Sequence, residues 1–427
     1  MKTDRVFRGV VVSLLTLGVL EGTGRADFAC TTTVARKGDS ALGEGTFFRF
    51  VGVSLNDSGL VAFTADRVRG GGPGVFAKPS VGTIGPIGVV ARRGRGAPTG
   101  GTFAGPFSSP SVNASGTVAF TAGVTSAAGI VPGIFKGVPG ALEAVALAGD
   151  PAPVCGGQFA SFGAPSLDRD GAVAFSATLS GSASPSGVFV AHADRSVLAV
   201  ACADVKTVLD DGSTVDFDAF DDAVMSAAGS VAFIGSVATD AGGVEGYTDA
   251  VYRFDETSGR IDEIARVGDP VPDVAGSTFY KLFSPPAISA AGVGFRAFVT
   301  GAVYQGIFFQ APGAAVASVV VNGDPVPGSN GSRFRRFVPP SMNDAGDIAT
   351  EADNLASSQR QEVIFVPAGG SPENVATDIE AAPVPEAGVV FKNFNRPALN
   401  NHRVVVFVAS LSGGRASSVG IFLCERR

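Results

Sequence analysis

Six carboxylates crowd into thirteen residues at Asp210, Asp211, Asp216, Asp218, Asp221 and Asp222. Calcium takes several carboxylate and carbonyl oxygens at once, so this run is the one place where the sequence offers a cofactor. The spacing is not that of an EF-hand, and a solvated acidic loop is the competing reading. Aspartate also recurs in Gly149-Asp150-Pro151, Gly268-Asp269-Pro270 and Gly323-Asp324-Pro325, with Gly38-Asp39 as a partial copy. Such a set could ring one face and hold cations. Asp-Pro also favours an extended or turn conformation that starts a crossing, and this structural reading weighs more. The two histidines, His192 and His402, stand alone. Without a His-x-x-x-His spacing or a serine elbow they support neither a zinc site nor a triad, and they read as surface residues. No catalytic residue emerges.

The elements that must position these groups come from a repeat. Asn56-Asp57-Ser58-Gly59-Leu60-Val61-Ala62-Phe63 recurs as Asn113 to Phe120, Asp168 to Phe175 and Ser226 to Phe233. Weaker copies start at Ser289, Asn343 and Asn400. The copy at Ser289 runs into a phase-shifted Gly294-Phe295, the one at Asn343 ends on Thr350, and the one at Asn400 carries Arg403 where the others have glycine. Spacings of 54 to 63 residues mean an array of supersecondary units. Asn, Asp or Ser at the first position caps a type I turn, and glycine at the fourth accepts the positive φ that follows. Val-Ala-Phe then alternates as a strand. Arg403 predicts a distorted turn.

Two further strand signals recur in each unit. One is Gly74-Val75-Phe76 and its equivalents, through Val363-Ile364-Phe365 to Gly420-Ile421-Phe422; the other is Val34-Ala35, Val90-Ala91 and their equivalents. A fourth strand precedes the turn, around Phe47 to Ser54 in the first unit. Four short strands per unit predict a seven-bladed β-propeller, with another blade count or an irregular β-repeat array as the alternative. The second signal appears first at Val34, before any turn motif, and the last unit lacks it. The N-terminal strand therefore completes the C-terminal blade.

That closure brings Cys30 beside Cys424 and predicts a disulfide between them, worth roughly 4–5 kcal/mol in the chain-entropy model. Cys155 and Cys202 bracket the third unit and form the default second pair; free thiols are the alternative.

Lys2, Arg5 and Arg8 precede the apolar run Gly9 to Leu20, and Gly24-Arg25-Ala26 resembles a cleavage site. Residues 1–26 thus read as a signal peptide and 27–427 as one propeller domain. The run of 12 residues is short for a membrane span, and no second one follows, so no membrane anchor is expected after cleavage. The whole chain carries a formal charge of −7. Removing Lys2, Arg5, Arg8, Arg25, Asp4 and Glu21 takes it to −9, which disfavours nucleic acid as a partner. The basic runs Arg92-Arg93-Gly94-Arg95 and Arg333-Phe334-Arg335-Arg336-Phe337 are too short to reverse that.

The repeat resembles the bacterial NxxGxxxF tandem-repeat family with a choice of anchor, over nearly all of the mature chain. The resemblance implies export and supplies no activity or site residue. The expectation is a monomeric binding or scaffold protein, secreted or periplasmic, with a protein or glycan ligand. The alternative is an extracellular polysaccharide hydrolase or lyase using carboxylates at the propeller mouth.

Overall fold

The computed structural model describes residues 28–41, 45–68, 71–82, 85–127, 129–241, 244–301, 303–354, 360–413 and 418–427. The signal-peptide reading of residues 1–26 lies outside them. Every regular element among the described residues is a β-strand, and seven antiparallel four-stranded sheets form a ring, a seven-bladed β-propeller.

Blade 1 runs outward from the axis through Thr46–Leu55, Leu60–Val68, Gly74–Pro79 and Gly88–Arg92. Blades 2 to 6 follow over residues 103–147, 158–202, 206–266, 279–321 and 334–377. Blade 7 is built from Val390–Phe394 and Ala398–Leu399, Val404–Ser412 and Ser418–Arg426, and its outermost strand is Phe28–Arg36. Cys30 pairs with Cys424 in that register and is disulfide-bonded to it. Cys155 and Cys202 form the second disulfide, tying the crossing into blade 3 to its outermost strand.

The turn chemistry is as local as the sequence suggests. Asn56 Oδ1 accepts the amide of Leu60 at 2.9 Å, and Gly59 at φ 79° donates its amide to the Asn56 carbonyl at 3.1 Å. Asp168 Oδ1 and Ser226 Oγ cap Ala172 and Ser230 in the same way, at 2.7 and 3.1 Å. The phase shift in blade 5 is a shorter hairpin, in which Ser289 pairs directly with Gly292. A Cβ at Gly292 would lie 2.0 Å from the Gln310 carbonyl oxygen, so only glycine fits. The expected distortion at Arg403 does not occur. Arg403 adopts φ 59°, and the capping bonds to Asn400 persist. Its guanidinium instead bonds the fully buried Asp347 of blade 6 at 2.8 Å.

The cores lie between blades rather than within them. Phe47, Phe50, Phe63 and Phe76 of blade 1 pack on Val404, Val406, Ile421 and Leu423 of blade 7. Phe47 meets Phe76 edge-on at a centroid distance of 5.0 Å, and Phe63 stacks on Phe76 at 5.6 Å. Blade 3 repeats this with Phe159, Phe175 and Phe189 at 5.0 and 5.6 Å. Blade 6 departs. Thr350 and Ile364 pair where the other blades set two aromatic rings face to face. That shifts the expected Val363-Ile364-Phe365 signal by one residue: Glu362 occupies the glycine position and Phe365 turns toward blade 7. A Cβ at the equivalent Gly74 would sit 2.8 Å from the Ala91 carbonyl oxygen and 3.2 Å from the Phe76 ring.

A candidate axial binding site

In each blade the innermost strand passes an interruption beside the axis before reaching its turn. These segments are 51–54, 108–110, 163–165, 221–223, 284–286, 338–340 and 395–397, and proline recurs in them. Together they line an axial cavity of about 290 Å³ to which all seven blades contribute. A second axial cavity, of about 280 Å³, lies among the turns themselves. The chain passes from the first to the second within a few residues, as from Ser54 to Asn56, so the two follow one another along the axis.

The turn-side cavity is a closed hydrogen-bond system. Asn401 Nδ2 donates to Asp57 Oδ2 and to Asp344 Oδ2, both at 2.9 Å, and its amide reaches Asp57 Oδ1 at 2.8 Å. Its carboxylates are engaged by the frame.

The first cavity is different. Arg396 of blade 7 and Asp222 of blade 4 both line it. One Arg396 nitrogen, Nη2, donates to the Pro340 carbonyl at 2.6 Å, while Nε is buried without a partner. Burial pushes the guanidinium down to about 10, with Asp222 opposing the shift. Asp222 Oδ1 accepts the Ala164 amide at 3.1 Å. Ser54 Oγ, also on the wall, is buried and unpartnered. Arg396 is the one cation among the described lining residues, and a guanidinium there can receive an anionic group.

The six clustered aspartates do not act as one set. Asp210 pairs with Arg260, and exposed Asp211 accepts the Ser213 amide at 2.8 Å. Asp216 lies opposite Lys206 in an added hairpin, and Asp218 continues that strand. Of the six, Asp222 lines the axial cavity. Desolvation, with Asp222 and Asp249 nearby, raises the Asp221 carboxyl against the pull of Lys281. Among the described residues, no three His, Cys, Asp or Glu side chains are placed to share a metal ion. The Gly-Asp-Pro aspartates brace their own turns, as Asp150, Asp269 and Asp324 each accept the amide three residues back at 2.8 Å. His192 Nδ1 lies 3.3 Å from Glu256, and the His402 amide donates within the blade 7 turn. Sequence reasoning missed Arg396. Its only signal was a lone cation among the seven interruptions.

The fold and this axial site define a β-propeller with a central cavity. The chain belongs to the Family of unknown function (DUF7453), whose model matches residues 25–304 and 289–425. No curated protein matches it in sequence. Among solved structures it is similar to the polysaccharide lyase Uly1, at 8% identity and TM-score 0.47, covering 96% of this chain and 94% of that one. It is also similar to a prolyl endopeptidase at 12% identity, TM-score 0.38, covering 88% and 54%. An acylaminoacyl peptidase of Pyrococcus horikoshii matches at 10%, TM-score 0.42, covering 75% and 45%. The chain spans about half the length of these two peptidases. None of these likenesses transfers an activity. The two disulfides fit an oxidising compartment, and no helix among the described residues is long and apolar enough to cross a membrane.

Proposed function

We propose that this protein is an exported, monomeric binding propeller that takes its ligand, a glycan or a protein group, in the axial cavity between Arg396 and Asp222. Arg396, the one cation among the described residues that line a cavity to which all seven blades contribute, is the observation that carries this reading. Cleavage of a glycosidic bond by the usual route asks for two carboxyl groups flanking that bond. The cavity instead brings one cation, Arg396, and one carboxylate, Asp222, which is already held by the Ala164 amide. That arrangement supports holding a ligand over cleaving it. Residues 1–26 serve as the leader in this reading.

Binding of the secreted protein to glycan and protein arrays, with Arg396→Gln beside the wild type, tests the proposal. The expected result is retention of a ligand that Arg396→Gln weakens at least tenfold while melting as the wild type does. Release of reducing ends or unsaturated sugars by the wild-type protein would replace the binding reading with the enzymatic one.

A further inference from the structure

The innermost strands carry a second regularity. Phe47 and Phe50, Phe334 and Phe337, and Phe391 and Phe394 are buried pairs separated by two exposed residues. Along each strand these exposed residues precede those that line the Arg396 cavity. Extended chain advances about 3.3 Å per residue, so they form the rim of that mouth, on the face away from the turns. On blades 5, 6, 7 and 1 the rim residues are Tyr280-Lys281, Arg335-Arg336, Lys392-Asn393 and Phe48-Arg49. The corresponding Ala104, Ala160-Ser161 and Asp218-Ala219 of blades 2 to 4 bring no cation. A chain of net charge −7 thus gathers five exposed cations on four adjacent blades around one mouth, with Arg396 at its centre.

Neutralisation along this arc is partial. Arg49 meets Asp66 at 3.3 Å and Arg336 meets Asp353 at 3.5 Å. Among the described residues, Lys281, Arg335 and Lys392 have no carboxylate within ion-pair distance, though Lys281 lies 5.3 Å from the Phe283 ring. Aromatic faces sit between the charges. Tyr280 and Phe48 are 66% and 48% exposed. Phe283, Phe298 and Tyr304 form a run of rings 4.5 and 4.7 Å apart, with Arg296 3.9 Å above Phe283.

We propose that this arc binds an anionic polysaccharide, whose acid groups pair with the cations of blades 5, 6, 7 and 1 while one of them seats against Arg396. The inference rests on the axial binding reading and names its ligand class. Cations one blade apart match acid groups spaced along a polymer. The rings offer apolar platforms to the C–H faces of the sugars, and the cavity hydroxyls match their alcohols. The acids are uronate carboxylates or sulfate esters, which present the same charge to this surface.

The test uses the whole secreted protein with alginate, dextran sulfate, neutral dextran and single-stranded DNA at low and moderate salt. Lys281→Gln/Arg335→Gln/Lys392→Gln and Arg396→Gln are compared with a control, Arg93→Gln/Arg95→Gln. All variants are first checked for wild-type melting. The expected result is binding to alginate or dextran sulfate, weakened at least tenfold by added salt, by the triple change and by Arg396→Gln, but not by the control. The better of those two polymers identifies the acid. Arg396-dependent binding of neutral dextran or a protein alone would overturn the inference and leave the axial reading standing. Equal or tighter DNA binding, or acid-polymer binding indifferent to the triple change, would also overturn it. Binding to none of the four, with no Arg396-dependent ligand on the arrays, would remove both readings.

Discussion

Asn400 donates its side-chain amide to the main-chain carbonyl of Asn56 at 3.1 Å, across 344 residues of sequence. The same bond links Asn343 to Asn400, Asn56 to Asn113 and Asn113 to Asp168, at 3.2, 2.8 and 3.1 Å. One asparagine therefore does two jobs, with Oδ1 capping its own turn and Nδ2 tying it to the next blade. Asp168 can perform only the first, and there the tie passes to the Arg169 amide, 3.2 Å from the Ala227 carbonyl. Asn400→Asp keeps the cap and removes the tie, while Asn400→Ala removes both. We expect losses of about 1–3 kcal/mol for the aspartate variant and more for the alanine one, read as successive drops in melting temperature.

The two disulfides differ in what they span. Cys30–Cys424 encloses 394 residues of separation and Cys155–Cys202 encloses 47. At these separations the chain-entropy account gives about 6 kcal/mol for the first, above the roughly 4–5 kcal/mol expected from sequence, and about 4 kcal/mol for the second. Paired alanine replacements at 30 and 424 should lower the melting temperature further than those at 155 and 202. The reverse order would place the stabilisation in local packing instead.

Arg403 repays its left-handed backbone through its side chain. Burial would raise the Asp347 carboxyl, but hydrogen bonds from Arg403, Asn343 and the Ala368 amide outweigh it and hold the group below its ordinary range. Arg403→Gly relieves about 1 kcal/mol of backbone cost and leaves a buried carboxylate short of its cation. The net result should be destabilisation of about 1–3 kcal/mol at neutral pH, shrinking as acid protonates Asp347. A double-mutant cycle with Asp347→Asn should show strong coupling, and additive effects would contradict it.

Blade 6 carries a pH dependence of its own. Burial, aided by Asp353, pushes Glu351 up to about 8, and burial pushes Glu362 up to about 7 against the hydrogen bond from Asn354. Both native carboxyls keep protons that the unfolded chain releases near its ordinary pKa of 4.5. The native state then binds more protons, so their contribution falls as pH rises from about 4.5 through 7 to 8. Glu351→Gln should melt progressively above the wild type across that window, with a ceiling on the order of 5 kcal/mol. Parallel curves from pH 5 to pH 8 would contradict it.

The blade count, the closing strand and both cysteine pairs were legible because each rests on a signal within a few residues: Asn and Gly in a turn, Val-Ala beside Gly-Ile-Phe. Legibility ended where copies diverged. In blade 6, loss of the rings at Thr350 and Ile364 erased the marker that fixes register, so Phe365 was assigned one position out. The acidic run looked like one site because sequence shows proximity along the chain. The hairpin at Lys206–Val208 and Thr214–Phe220 then carries Asp210 and Asp222 to different places. Arg396 had no repeated counterpart to announce it. The asparagine ties were invisible because Nδ2 acts on a blade some 57 residues away.

The strand Phe28–Arg36 leaves the ribosome ahead of the other strands of all seven blades, and its partner Ser418–Arg426 follows them. Six blades have their strands in sequential order and can assemble as they emerge. The opening strand must stay unpaired, with its ladder groups exposed, until Ser418–Arg426 has been made. Truncation anywhere ahead of Ser418 would leave both an unsatisfied edge and a lone Cys30. A chaperone or a thiol oxidant acting on this protein would therefore find its substrate at Phe28–Arg36, made ahead of the blades and paired only after them.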